Sequence, residues 1–223
     1  MTPKDIPFDI IFLIDETENE KFAENVANQF ILNVMSMFSV DQDHARVGLM
    51  TLPAHYSQTM PVTFLSAITS WDSLLANLNE VDDFSDQGSQ EWITQALKFA
   101  QFQYRKLANG YRYGVNNHLI VLITETTSFN ATDIAEAVSV SAAILKDNIY
   151  GIVGIAYGDR ADSGALSKFT GSADCVTKAA NSADLNGAAV KFVQDKIWRA
   201  YNTTGGAYCN PPAASSGWGW GFF

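Results

Sequence analysis

Phe8-Asp9-Ile10-Ile11-Phe12-Leu13-Ile14 is a short, nearly unbroken apolar run that stops at Asp15. A run of this length with an abrupt polar end reads as a parallel strand buried on both faces. Working outward, Phe22, Val26, Phe30 and Val34 recur every four residues, with Ala23, Ala27, Ile31 and Phe38 beside them. That is the apolar stripe of a helix of about five turns. Two strand candidates follow, Ala45 to Leu52 and Thr59 to Leu65. The link between them is too short for a parallel crossover, so the spacing predicts an antiparallel hairpin with one arm at the sheet edge. Pro61 suits an edge because it has no N–H to give to a neighbour.

Beyond the hairpin, Trp71, Leu74, Leu75 and Leu78 mark a short helix with Ser70 as its N-cap. The acidic, polar stretch from Val81 to Gln90 reads as a loop. Ile93, Ala96, Leu97, Ala100, Tyr104 and Leu107 mark one further helix, closed by Asn109-Gly110. Leu119 to Ile123 is a second buried strand and Ile149 to Ala156 a third. Helical stripes lie at Ile134 to Leu145, Ser163 to Phe169 and Ala189 to Tyr201, with a short strand at Asp174 to Thr177. Alternation of this kind predicts an α/β fold: a doubly wound, mostly parallel six-stranded sheet with one antiparallel edge strand and helices on both faces. Residues 1–6 read as an N-terminal extension and 7–202 as one domain. Residues 203–223 read as a loose tail of Gly and Ser carrying Trp218 and Trp220.

With 223 residues, 47% hydrophobic and 17% charged, the chain has the composition of a globular domain. Its net charge of −10 disfavours nucleic acid and anionic lipid as partners. No apolar stretch is long enough for a transmembrane helix. The N-terminus lacks the apolar core of a signal peptide, which leaves a cytosolic protein or a mature fragment. Two glycosylation sequons, at Asn130 and Asn202, lean toward a secreted or extracellular chain. Cys175 and Cys209 flank one predicted helix and read as a disulfide pinning it; two free thiols are the alternative.

In doubly wound sheets ligands bind outside the carboxyl ends of the strands. Asp15-Glu16-Thr17-Glu18-Asn19 leaves the first strand there, and Thr124-Glu125-Thr126 leaves the Leu119–Ile123 strand. Asp86-Gln87-Gly88-Ser89-Gln90-Glu91 joins the same rim. These segments supply carboxylate, hydroxyl and amide oxygens, donors that suit Mg²⁺ or Mn²⁺. Strand and helix caps with favourable first-turn charges would use the same residues without a metal.

Phe-Leu-Ile-Asp at 12–15, Arg-Val-Gly-Leu at 46–49 and Leu-Ile-Val-Leu-Ile-Thr-Glu at 119–125 resemble the von Willebrand factor A-type (vWA) domain across roughly residues 5 to 202. The resemblance implies a metal-ion-dependent adhesion site (MIDAS), whose ion keeps one position open for an acidic side chain of a partner. The family pattern is Asp-x-Ser-x-Ser, a loop Thr and a final Asp. Carried over, Asp15 keeps the aspartate and Thr17 and Asn19 replace the two serines. Ser89 stands for the loop threonine and Glu125 for the final aspartate. Glu125 is longer by one C–C bond of about 1.5 Å, whereas Mg²⁺ asks for near-ideal geometry at about 2.1 Å. The implied function is protein binding, to an extracellular or matrix protein, without catalysis or membrane insertion; the alternative is a structural vWA module with no functional metal site. No phosphate-binding Gly-rich loop or nucleophile elbow appears. His44, His55 and His118 read as solvated turn residues.

Overall fold

The computed structural model describes residues 2–16, 22, 26–52, 62–81, 93–129, 131–202 and 209. The opening strand β1 (Phe8–Asp15) is buried along its whole length. It lies between β2 (Ala45–Leu52) and β4 (His118–Thr124), both parallel to it. Beyond β4 come β5 (Gly151–Tyr157) and β6 (Val176–Ala179), again parallel. These five parallel strands form the body of the sheet; with a sixth, β3 (Val62–Thr63), at the edge, the order is β3-β2-β1-β4-β5-β6. The edge arm β3 amounts to Val62–Thr63, antiparallel to Leu49 and Met50. The expected seven-residue strand is thus a two-residue pairing among the described residues; 53–61, Pro61 included, lie outside them.

The helices are α1 (Asn28–Met35), α2 (Trp71–Val81), α3 (Ile93–Phe99), α4 (Ala131–Lys146), α5 (Ser163–Thr170), α6 (Ser182–Asp184) and α7 (Val190–Asn202). Alternation along β1 divides the core. Ile10, Phe12 and Ile14 pack with residues of α1, α2 and α7. Ile11 and Leu13 pack with residues of α3, α4 and α5. Each such fully buried side chain contributes about 1.5–3 kcal/mol through removal of apolar surface from water. The two-sided burial of β1 is why its sequence is a run rather than an alternation.

Two expectations are corrected. The helix through Leu107 breaks: α3 gives way to a π-helical turn (Ala100–Tyr104) and a separate 3-10 turn (Leu107–Asn109), and Leu107 is exposed. The break lets the buried Tyr104 hydroxyl donate to the carbonyls of Leu49 at 2.8 Å and Thr63 at 2.9 Å, clamping β2 to β3. Gly48 makes room for it, since a Cβ there would sit 2.5 Å from Tyr104 Cε1. On α2, Ser70 does cap, its Oγ accepting from the Ser73 N–H at 3.1 Å. Of the residues that mark this helix, Leu74 and Leu78 face the core, while Trp71 and Leu75 turn outward. The last strand begins two residues late, because Ala173–Cys175 form a 3-10 turn with the Ser172 hydroxyl accepting from the Asp174 N–H. The stripe of the first helix reaches the core at both ends, through Phe22 and Phe38, while residues 17–21 and 23–25 lie outside the described residues.

Candidate functional site

Register brings the two key exits together. Ile14 of β1 pairs with Ile123 of β4, so the next residues, Asp15 and Thr124, stand side by side on one face at the carboxyl pole. Asp15 Oδ2 accepts hydrogen bonds from Thr124 Oγ1 at 2.5 Å and Thr126 Oγ1 at 2.7 Å. Thr124 Oγ1 in turn accepts from the Thr126 N–H at 2.9 Å, so one hydroxyl both gives and receives. All three residues are buried. The network runs on: Thr126 O accepts from the Asp162 N–H at 2.9 Å, and Asp162 Oδ1 caps α5 by accepting from the Ala165 N–H at 2.9 Å. The Glu16 N–H donates to Leu52 O at 2.7 Å, tying the chain leaving β1 to the end of β2. Ends of β1, β2 and β4 and the start of α5 therefore share one rim.

Asp15 sits at the centre of that rim, and Glu125 follows β4 directly, half-buried. Thr17, Asn19, Ser89 and Asn130 lie outside the described residues. Thr124 and Thr126 were not singled out as partners of Asp15. Aligning the ends of the two apolar runs would have found Thr124, because parallel in-register strands put it next to Asp15. Thr126 needed the path of the loop. In kind, the oxygen donors gathered here fit a hard divalent cation. Among the described residues no three His, Cys, Asp or Glu side chains gather for a metal.

A second buried carboxylate stands at the amino pole. Asp9 Oδ1 lies 2.6 Å from Arg112 Nη2 and accepts from Arg112 Nε at 2.8 Å. Arg112 also donates to the carbonyls of Phe8, Asp43 and His44. His118 Nδ1 lies 3.1 Å from Asp9 Oδ2, too oblique for a directed hydrogen bond, while Nε2 donates to Val115 O. The Tyr111 ring stacks on the imidazole at 4.2 Å. Burial pushes the Tyr111 phenol up to about 12. His118 is thus a buried member of this cluster, not a solvated turn residue; packing against Tyr111 and Tyr150 removes it from water. His44 does sit at a turn, paired with Asp41 at 2.8 Å, and His55 lies outside the described residues. Arg112 carried no signal in the sequence.

Cys175 and Cys209 form the expected disulfide, with Cα atoms 5.2 Å apart and both residues buried. It fastens the chain beyond α7 to the amino end of β6. Asn202 ends α7 and is exposed. Among the described residues no helix is long and apolar enough to cross a membrane.

A *Caenorhabditis elegans* protein, irg-7, is 32% identical over 208 residues, covering 91% of this chain and 9% of that protein. The chain thus spans about a tenth of this curated relative's length. Proximal thread matrix protein 1 from the mussel byssus, solved with a zinc-occupied MIDAS motif, superposes with a TM-score of 0.69 at 17% identity. The match covers 87% of this chain and 49% of that one. The manganese-loaded TRAP protein of *Plasmodium vivax* gives a TM-score of 0.59 at 16% identity, covering 85% and 73%. At such identities these structures speak to the fold. Domains of this type are generally non-enzymatic modules of adhesion and protein binding, and residues 9–191 match the von Willebrand factor type A domain, the family to which this chain belongs.

Proposed function

We propose that this domain is an extracellular protein-binding module that docks its partner on the carboxyl-pole rim through a divalent cation, Mg²⁺ or Mn²⁺. Asp15, Thr17, Asn19, Ser89 and Glu125 are the residues that would hold the ion. When bound, it supplies an open coordination position to an acidic side chain of the partner. The observation that carries this reading is the buried Asp15 carboxylate, oriented by the Thr124 and Thr126 hydroxyls where β1 and β4 end. Hydroxyl donors fix the direction of a carboxylate without adding positive charge. Net charge adds support: a surface at −10 repels an acidic ligand unless a cation intervenes. Glu125, longer than the family's aspartate, reaches the ion through a shifted backbone or an intervening water. The disulfide and the exposed sequon residue Asn202 suit an extracellular setting.

Thermal unfolding with Mn²⁺ and with EDTA tests the reading. Saturation a hundredfold above Kd stabilises by about 2.7 kcal/mol, a rise of about 5–10 °C for a domain of this size. Asp15→Ala removes the response. An unmutated protein whose Tm ignores both Mg²⁺ and Mn²⁺ ends the cation reading. Partner capture that persists in EDTA leaves a module that works without metal. That second reading has its own observation, since Asp15 Oδ2 already accepts two hydrogen bonds inside the fold.

A further inference from the structure

We infer that Asn202 carries an N-linked oligosaccharide whose first sugar covers the exposed indole of Trp198. Asn202 heads the sequon Asn202-Thr203-Thr204, ends α7 and is exposed. Residues four apart share a helix face, and side chains lean toward the helix N-terminus, so Asn202 leans over Trp198. Asn202 Nδ2 donates to the backbone carbonyl of Trp198 at 2.8 Å, which holds the amide one turn above the residue that carries the indole. Trp198 is 41% exposed, one of few large apolar side chains left in water among the described residues.

The chemistry is compatible with that contact. A primary amide carries two N–H bonds and this hydrogen bond uses one. Glycosylation forms a bond from Nδ2 to the anomeric carbon of a sugar. The carbon–oxygen bond to a lipid-pyrophosphate donor breaks, the lipid pyrophosphate leaves with the bonding electrons, and the other Nδ2 proton passes to a base of the glycosyltransferase. The remaining N–H keeps Trp198 O. The sugar then lies over the indole, where the apolar face of a pyranose removes aromatic surface from water. The location suits a binding module, because α7 ends near the amino pole while Asp15 faces the opposite one. The inference rests on the extracellular reading, but not on the cation.

The test is secretion of the full 223-residue chain from eukaryotic cells, as the Asn130→Gln variant so that only one sequon remains. Intact mass before and after peptide-N-glycosidase should show loss of one glycan, and Asn202→Gln in the same background should show none. Incorporating 5-fluorotryptophan, with the resonance assigned through Trp198→Phe, reads the indole directly. Removing the glycan should shift the Trp198 fluorine signal and leave the other tryptophans unmoved. A secreted Asn130→Gln protein without glycan overturns the proposal. A glycan whose removal leaves Trp198 unchanged overturns the covering of the indole. Cation response in the glycosylated protein separates this result from the fate of the rim.

Discussion

Asp9 and Asp15 stand at opposite ends of β1, on the same face, each buried and each beside β4. Their surroundings differ in kind. At the amino pole Asp9 meets a guanidinium that also gathers three backbone carbonyls, so its charge is answered by a fixed cation of the fold. At the carboxyl pole two hydroxyls orient Asp15. One carboxylate is built into a clasp; the other is aimed. A buried carboxylate is therefore not in itself a functional signal. The donors around it, and the end of the sheet on which it sits, separate the structural case from the candidate site.

The largest effect should come from breaking the clasp. Arg112→Ala leaves the Asp9 charge buried with its main partner gone and should cost about 3–5 kcal/mol, read as a lower urea midpoint. The Mn²⁺ response should survive, because the two carboxylates stand at opposite ends of β1; its loss would mean they are one coupled unit. Asp15→Ala should cost less, about 1–3 kcal/mol for the hydroxyls left without their acceptor, while removing the whole cation response. Smaller again is Thr126→Val, at about 1–2 kcal/mol, with a weakened Mn²⁺ affinity that Thr126→Ser restores. If Thr126→Val lowers stability but leaves affinity untouched, the hydroxyl belongs to the scaffold and the contrast between poles narrows.

A pH effect tests the amino pole separately. Burial raises the Tyr111 phenol from its ordinary value of 10.0 to about 12 in the fold. The native state then holds this proton after the unfolded chain has lost it, so stability is complete below about pH 10 and declines toward pH 12. Tyr111→Phe should flatten that part of the alkaline limb in chemical denaturation at stepped pH. An unchanged slope would show that Tyr111 reaches water more freely than its stacking on His118 implies.

Much of the fold was legible because strand burial and helix periodicity are local properties. The runs at 8–14, 45–52 and 119–123 named three neighbouring strands, and alternation of elements implied their parallel order. What failed had non-local causes. The π-helical turn after Phe99 exists so that Tyr104 can reach two carbonyls on β2 and β3, and no window around residue 100 contains those carbonyls. The helix marked by Trp71, Leu74, Leu75 and Leu78 is there, but which of the four are buried depends on how α2 packs on the sheet.

The site divides the same way. By itself the sequence determined that Asp15 ends a buried strand, that a Thr-Glu-Thr segment ends another, and that both exits belong to the ligand-bearing edge of such a sheet. The pairing of Asp15 with Thr124 and Thr126, and of Asp9 with Arg112 and His118, was decided by tertiary structure alone. Hydrogen bonds and ion pairs act over about 3 Å, and only folding brings residues about a hundred positions apart within that distance.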